Sequence, residues 1–196
     1  MWQSVTLVKG GFFMHKKRKV FTTKTLTYSA MLVALSVAIN SLRIGNISFG
    51  GFPIIFSGLT MGPIVGFVVG GVADVIGFII RPSASGGFNP LFILTSALTG
   101  LIPGLVIILL KDKYPNYKPW KIFIAIATGQ LITTVLMVPL FITYLRQSNL
   151  LGTSAFWTSY YARVTLAFSR QALNVPIYTV LFSSIIKPLS KTFSPD

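Results

Sequence analysis

The chain passes from a helix-breaking pair into an apolar span within residues 62–80, which read GPIVGFVVGGVADVIGFII. Gly62-Pro63 interrupts any preceding helix, because proline lacks the amide donor and glycine costs backbone entropy. The run that follows carries a single charged residue, Asp74, among apolar side chains and glycines. Such a run predicts a transmembrane helix whose glycines allow close approach of its neighbours.

The composition of the whole chain agrees with this span. Its 196 residues are 53% hydrophobic and 10% charged, with a mean hydropathy of +0.74, whereas soluble domains carry about 25% charged residues. The length accommodates about six spans of ~20 residues with short connections. We therefore expect an all-α membrane protein, a single bundle of six transmembrane helices with no second domain.

Six apolar stretches are predicted as the membrane helices, and the second is too short to span upright without flanking residues. They are residues 25–42, 54–61, 64–80, 91–110, 122–144 and 164–186. The membrane domain is therefore placed at residues 25–191, after a basic tail at residues 1–24.

The first thirteen residues allow two interpretations. They lack an apolar core long enough for a signal peptide. The segment Lys9 to Phe13 can be encoded by a purine-rich run just ahead of an ATG, as at a bacterial ribosome-binding site. Translation would then start at Met14, and residues 1–13 would be an untranslated upstream region. The alternative is a genuine N-terminal extension.

The chain has a net charge of +14, and its lysines and arginines are concentrated in different segments. Lysines cluster in the tail, in the connection before the fifth span and after the sixth span, which predicts that these segments and both termini are cytoplasmic. Because these clusters alternate with apolar runs, we do not expect nucleic-acid binding. Apart from Arg18 in the tail, the arginines are at the opposite, outer end: Arg43, Arg81, Arg146, Arg163 and Arg170.

Side chains suited to catalysis are almost absent. The chain has no cysteine and no glutamate, its one histidine is His15 in the basic tail, and its acids are Asp74, Asp112 and Asp196. A hydrolase or transferase needs a nucleophile with a base, or a set of metal ligands. We therefore expect neither an enzyme nor a bound metal or cofactor.

The outer arginines are candidates for binding an anionic ligand. Arg163, Arg170 and Asn174 are separated by seven and then four residues, which places them on one face of the sixth helix. A guanidinium group matches carboxylates in geometry and charge. The alternatives are that these arginines reach lipid headgroups or pair inside the protein.

Other polar and aromatic side chains stand near the same end. Asp74 can pair with an arginine or accept hydrogen bonds from a ligand, and Asn89 can cap the fourth helix or bind the edge of a heterocycle. Trp157 and Tyr160 can belong to an interfacial belt or stack on a flat ligand. With Arg81, these residues predict a site for a planar, polar and anionic molecule.

Small side chains line one stripe of the first span. Ala30, Ala34 and Ala38 recur every four residues, so they lie on one side of a helix and allow another helix to approach closely. The approaching helix can belong to this chain or to a partner protein.

These features together resemble the substrate-binding S component of an energy-coupling factor (ECF) vitamin transporter, specifically the folate family. The resemblance covers roughly residues 14–191. It rests on the alanine stripe, Gly62–Gly66 with Ala73–Gly77, the loop 81–90 leading into Phe92–Gly100, and Arg170-x-x-x-Asn174-x-Pro176. Two departures concern substrate identity: residues 88–95 replace the family's usual Phe-Pro-Gly-Phe-Thr-Leu-Ser-Ala, and Ser83–Gly86 lengthen the preceding loop.

The resemblance implies a multi-pass protein of the bacterial cell membrane that binds folate near the outer face. It also implies docking, through the alanine stripe, on a membrane T subunit driven by two cytoplasmic ATPases. The chain itself has no Gly-x-x-x-x-Gly-Lys-Ser/Thr motif for ATP. Two alternatives remain: an S component for pantothenate, thiamine or riboflavin, and a stand-alone secondary transporter.

Overall fold

In this computed structural model, helices account for nearly all of the residues that the structure describes, which are 22–42, 49–80, 89–112, 114 and 116–189. The predicted all-helical class is confirmed for this part of the chain, and the tail as far as residue 21 lies outside it. The described residues form six main helices: α1 Thr23–Leu42, α2 Gly51–Met61, α3 Pro63–Ile80, α4 Pro90–Leu109, α5 Pro119–Arg146 and α6 Ser154–Leu189.

Consecutive helices run in opposite directions, which gives the bundle two distinct ends. Ser36 of α1 donates to the carbonyl of Gly50, just before α2, whereas Ser29, nearer the start of α1, faces Met61 at the end of α2. We call the end that carries Gly62 and residues 110–118 the basal end. The opposite end, with Asn89 and residues 147–153, is the distal end.

Prolines set the starts of three helices. Pro63, Pro90 and Pro119 stand at the first position of α3, α4 and α5, where no intrahelical donor is needed and the fixed φ of proline suits a helix. Gly62 separates α2 from α3 with a φ of 104°, a conformation that favours glycine. The predicted helix break at Gly62-Pro63 is thus present.

The predicted start of the sixth helix is wrong. Hydropathy placed it at residue 164, but α6 begins at Ser154 and contains 36 residues. The added turns are polar and aromatic, so they are weak in hydropathy, yet they contain no glycine or proline to stop a helix. Gly152, with a φ of 83°, is the residue that separates α6 from the preceding turn.

Three of the described helices are long and apolar enough to cross a membrane by length and composition: Pro63–Ile80, Pro90–Leu109 and Pro119–Arg146. Helices α1 and α6 are also long, with 20 and 36 residues, but they contain more serine, threonine, asparagine, glutamine and arginine. The helix α2 has only 11 residues, as its short apolar stretch predicted.

Helices α2, α3 and α4 touch backbone to backbone through glycine. A Cβ added to Gly66 would lie 2.6 Å from the carbonyl oxygen of Gly100 and 2.6 Å from Cα of Gly58. A Cβ on Gly104 would lie 2.6 Å from the carbonyl oxygen of Gly58. Real Cβ atoms do not approach backbone this closely, so only glycine fits. We call Gly58, Gly66, Gly70, Gly100 and Gly104, with the helices that carry them, the glycine layer.

Aromatic side chains stabilise the packing at the basal end. The hydroxyl of Tyr117 donates to the carbonyl of Leu59 at 2.8 Å, and its ring stacks on Phe182 with centroids 6.3 Å apart. Burial, together with the nearby Asp112 and Tyr114, raises the pKa of Tyr117 to about 12. The connection between α4 and α5 is thereby joined to α2 and α6.

An ion pair joins the two ends of the connection between α4 and α5. The ammonium of Lys121 lies 3.6 Å from the Asp112 carboxylate and donates to the carbonyl of Leu110 at 2.8 Å. The other carboxylate oxygen of Asp112 accepts from the backbone of Lys118 at 3.1 Å. The lysine-rich connection is therefore an ordered turn at Asp112 and Lys118.

Candidate functional site

Asp74 lies in the distal half of α3 and is half-buried. Its carboxylate accepts a hydrogen bond from the hydroxyl of Ser96 on α4 at 3.0 Å. The glycine layer places this pair, because Gly70, one turn before Asp74, lies directly against the backbone of Ser96. Within the described part of the chain, no arginine pairs with Asp74, so its second oxygen can accept from a ligand.

Asn89 caps the fourth helix. Its backbone is extended, with φ −129° and ψ 116°, and its side-chain oxygen accepts from the amide of Leu91 at 3.0 Å. This bond satisfies one of the otherwise unpaired amides at the start of α4. Of the two roles that the sequence allowed for Asn89, the structure shows the helix cap. Arg81, also predicted for the site, lies outside the described residues.

The predicted polar face of α6 divides into a buried part and an exposed part. Asn174 is 5% exposed and Arg163 is half-buried, whereas Arg170 is exposed. Tyr160 is half-buried, and Trp157, 46% exposed, contacts its ring edge-on at a centroid distance of 6.0 Å. The three polar residues thus share a side of α6, but they are not equally enclosed.

Several buried polar atoms of α6 and of the turn before it have no hydrogen-bond partner among the described residues. They are Nε of Arg163, Oε1 of Gln171, Oδ1 of Asn174 and Oε1 of Gln147. An unpaired buried polar group costs about 1–3 kcal/mol. Buried polar atoms without partners are uncommon in native proteins, and a bound ligand is one way to satisfy them. They concentrate in the distal and middle parts of α6.

Gln130 on α5 is a polar residue that the sequence analysis missed. It is 4% exposed, and its Oε1 accepts from the hydroxyl of Thr134 at 2.6 Å. A Cβ placed on Gly51 would lie 3.7 Å from its Nε2 and 3.8 Å from the Tyr178 hydroxyl. A lone amide within a predicted span was the available signal, because buried amides are costly in lipid unless they are used.

Gln130 lies beside Gly51 because α2 is short. With 11 residues, α2 is ~16 Å long, and it ends at the basal end of the bundle. Its first turn at Gly51 therefore lies part-way along the bundle, beside Gln130 and Tyr178. The rings of Phe52 and Tyr178 meet there at a centroid distance of 5.8 Å. These contacts join the first turn of α2 to α5 and α6 at this level.

The helices at this level are unevenly packed. Helix α6 packs along α5 and reaches α2 through Tyr178 and Phe182. A groove of about 180 Å³ separates α5 and α6 where α5 has a π turn, Leu131–Met137, and where α6 contains Pro176. Gln130 and Gln171 both line this groove.

The predicted docking alanines lie on the outer side of α1. Ala30, Ala34 and Ala38 are exposed, whereas Leu32 and Val37 are buried against the bundle. Within the part of the chain that the structure describes, the stripe is therefore accessible to another molecule.

Known proteins with related sequences and structures identify the family. The family model described as ECF transporter, substrate-specific component, matches residues 24–189. The chain belongs to the substrate-specific components of ECF transporters. No curated relative matches this substrate-specific component in sequence. Its fold is similar to the crystal structure of FolT bound with folic acid, with a TM-score of 0.62 and 22% identity over 86% of this chain and 97% of that chain.

Proposed function

We propose that this protein is the folate-binding S component of an ECF importer in a bacterial cell membrane. The observation that carries the proposal is the family match over residues 24–189, joined to a fold shared with nearly the whole of FolT in its folic acid complex. Its membrane character follows from its apolar helices. We propose six crossings, with the basal end and both termini in the cytoplasm, because the lysines cluster at that end.

In the proposed site, the two ends of folate contact different kinds of side chain. Folate has a pterin ring rich in N–H groups and a glutamate tail with two carboxylates. Asp74 supports the pterin end, because one of its oxygens has no partner among the described residues. Arg163, Arg170 and Arg81 would bind the tail carboxylates. Nε of Arg163 has no hydrogen-bond partner among the described residues and can donate to an acceptor.

The remaining residues of the proposed site enclose the ligand. Trp157 and Tyr160 provide aromatic surface toward the distal end, and ring stacking on a flat heterocycle contributes about 0.5–1.5 kcal/mol. Asn174 offers a buried amide with an unpaired oxygen. Asn89, which caps α4, would contribute through its remaining NH₂ group.

Delivery is proposed to depend on a T subunit and two ATPases that dock at the exposed alanine stripe. Close helix approach requires small side chains, and Ala34 lies at the centre of the stripe. Ala34→Trp should therefore abolish folate uptake by cells that contain the complete transporter, while folic acid affinity of the isolated protein stays unchanged. Loss of binding with intact complex assembly would instead make the stripe an internal packing seam.

The proposed ligand can be tested directly. Native mass spectrometry of the detergent-purified protein should show a co-purified folate, and titration of ligand-free protein with folic acid should show one site. Pantothenate, thiamine and riboflavin serve as matched controls. Saturable binding of one of these vitamins, with no binding of folic acid, would contradict the proposal.

A further inference from the structure

We infer that the groove between α5 and α6 holds one acyl chain of an anionic phospholipid, whose phosphate group lies against the lysines at the start of α5. The lipid belongs to the leaflet at the basal end of the bundle, which we call the basal leaflet. This lipid site goes beyond the proposed function and does not depend on the identity of the vitamin. It requires only that α5 and α6 cross a membrane.

The first argument is the lining of the groove. Apart from two glutamines, the side chains that line it are apolar, among them Phe123, Ala127, Leu131, Val135, Phe168 and Pro176. Phe123, Leu131 and Phe168 are exposed, so the groove opens on the outer surface of the bundle. Acyl chains surround a membrane protein at this surface, and an unbranched chain gains apolar contacts on both sides when it enters a groove.

The second argument is the position of the groove along the bundle. On α5 it extends from Phe123 to Val135, which is ~18 Å of helix at a rise of about 1.5 Å per residue. Helix α5 starts at Pro119 at the basal end, so the groove begins about one turn inside that end. Half of a bilayer's hydrocarbon core is about 15 Å thick. The groove therefore covers the depth of an acyl chain in the basal leaflet.

The third argument is the charge beside the basal end of the groove. Lys118 immediately precedes α5, Lys111 follows α4 closely, and both side chains are exposed. Within the described residues, no carboxylate forms an ion pair with the ammonium of either lysine, because Asp112 pairs with Lys121. Exposed lysines at the membrane surface attract anionic headgroups. The charge therefore complements a lipid phosphate.

Trp120 links these lysines to the groove. It is 54% exposed, and the ammonium of Lys121 lies 5.8 Å from the centre of its ring. It precedes Phe123 by three residues and shares a face of α5 with it, so apolar surface continues from the lysines into the groove. Tryptophan is enriched at the level of lipid headgroups. A phosphate at Lys111 and Lys118 would thus have its acyl chain directed past Trp120.

The test is native mass spectrometry of the detergent-purified full chain titrated with palmitoyl-oleoyl phosphatidylglycerol. The wild type should retain one molecule of this lipid. Phosphatidylcholine with the same acyl chains should bind about 25-fold more weakly, since each lysine favours the anionic headgroup about fivefold. Glycerol 1-phosphate, which carries the phosphate without acyl chains, should not be retained.

A first pair of variants tests the groove. Ala172 lines the groove and is exposed, so a larger side chain there should leave the fold intact. Ala172→Phe should weaken both lipids about 10-fold, as expected when roughly two CH₂ groups lose their apolar contacts. The matched control is Ala162→Phe, an exposed position of α6 that does not line the groove, and it should bind both lipids like the wild type.

A second set of variants tests the headgroup position. The double variant Lys111→Gln with Lys118→Gln should weaken phosphatidylglycerol about 25-fold and leave phosphatidylcholine unchanged. Lys24→Gln removes the same charge at the start of α1, also at the basal end, and should change neither affinity.

Four results would overturn the inference. The first is a wild type that retains no phosphatidylglycerol. The second is equal affinity of Ala172→Phe and Ala162→Phe for this lipid, since the chain would then lie outside the groove. The third is equal loss of both lipids in the double lysine variant. The fourth is a lipid-free dimer that Ala172→Phe dissociates, because the groove would then be a contact between two copies of this chain.

Discussion

The glycine layer and the α5–α6 pair are built in opposite ways. In the glycine layer, backbones touch so closely that a Cβ on Gly66 or Gly104 would meet backbone atoms at 2.6 Å. In the α5–α6 pair, a groove opens between parts of the two helices, and several buried polar atoms have no partner in the part of the chain that the structure describes. The first region is packed to specify one arrangement, and the second retains unsatisfied hydrogen-bonding capacity. The difference leads us to expect that the glycine layer contributes most to stability, and that α5 and α6 supply most of the hydrogen-bonding groups that a ligand would satisfy, opposite Asp74.

The largest expected effect concerns the arginine side of the site. Arg170→Ala should weaken folic acid by roughly 2–5 kcal/mol, because a carboxylate of the bound tail loses its partner. The same variant should affect free pterin, which lacks the tail, far less. Arg170 is exposed, so its truncation should leave the fold intact. Calorimetric titration with both ligands measures the difference.

Asp74→Asn is the matched variant on the glycine layer. It removes the charge beside the proposed pterin position, and it should therefore weaken folic acid and free pterin alike. If Arg170→Ala also weakened both ligands equally, the assignment of Arg170 to the tail would be wrong, and Arg170 would be a pterin contact.

The next effect concerns the stability of the glycine layer. A Cβ in Gly58→Ala would collide with the carbonyl oxygen of Gly100, and the cost of such overpacking is about 1–3 kcal/mol. Gly77→Ala is the control on α3, because no atom lies within 4 Å of its added Cβ. Thermal unfolding in detergent should show a lower midpoint for Gly58→Ala only. A similar loss for both variants would contradict the close backbone packing.

The α5–α6 pair should show a smaller change of opposite sign. Asn174→Leu replaces a buried amide with an unpaired oxygen by an apolar side chain of similar size. Without ligand, the variant should be more stable than the wild type by about 1 kcal/mol. Added folic acid should raise the unfolding midpoint of the wild type much more than that of the variant. A destabilised ligand-free variant would indicate that Asn174 supports the fold.

The smallest effect concerns the basal end, which belongs to neither region. Burial raises the pKa of Tyr117 from 10.0 to about 12. Because the pKa is higher in the folded state, the stabilisation present below pH 10 is lost as the pH rises toward 12. The unfolding midpoint of the wild type should fall by about 2 °C more than that of Tyr117→Phe across this interval. Parallel curves for the two proteins would contradict this role of Tyr117.

The sequence predicted the start of a helix correctly where an apolar stretch follows a proline or a glycine that interrupts helices. Pro63 and Pro90 start α3 and α4 within one residue of the predicted positions, because proline and glycine act locally. The start of α6 was wrong, since Trp157, Tyr160 and Tyr161 are poor in hydropathy but compatible with a helix. Hydropathy measures transfer into lipid, whereas helix formation near the membrane surface depends on local backbone preferences.

The sequence indicated the types of residue in the proposed site better than it indicated how those residues are arranged in space. Periodicity placed Arg163, Arg170 and Asn174 on one side of α6, but the degree of burial depends on how α6 lies against α5. Gln130 gave no signal beyond its polarity, because its importance arises from the position of Gly51 on α2, distant in sequence. Contacts between separate helices require tertiary structure, which a single sequence pattern does not contain.

Hydrogen–deuterium exchange with and without folic acid tests the division between the two regions most directly. In the proposed folate complex the unpaired polar atoms of α6 would gain partners, so folic acid should slow exchange in peptides covering residues 154–174. Peptides covering residues 58–70 of the glycine layer should exchange slowly and equally in both states. Protection confined to residues 58–70, with no change in residues 154–174, would contradict the assignment of ligand recognition to the α5–α6 pair.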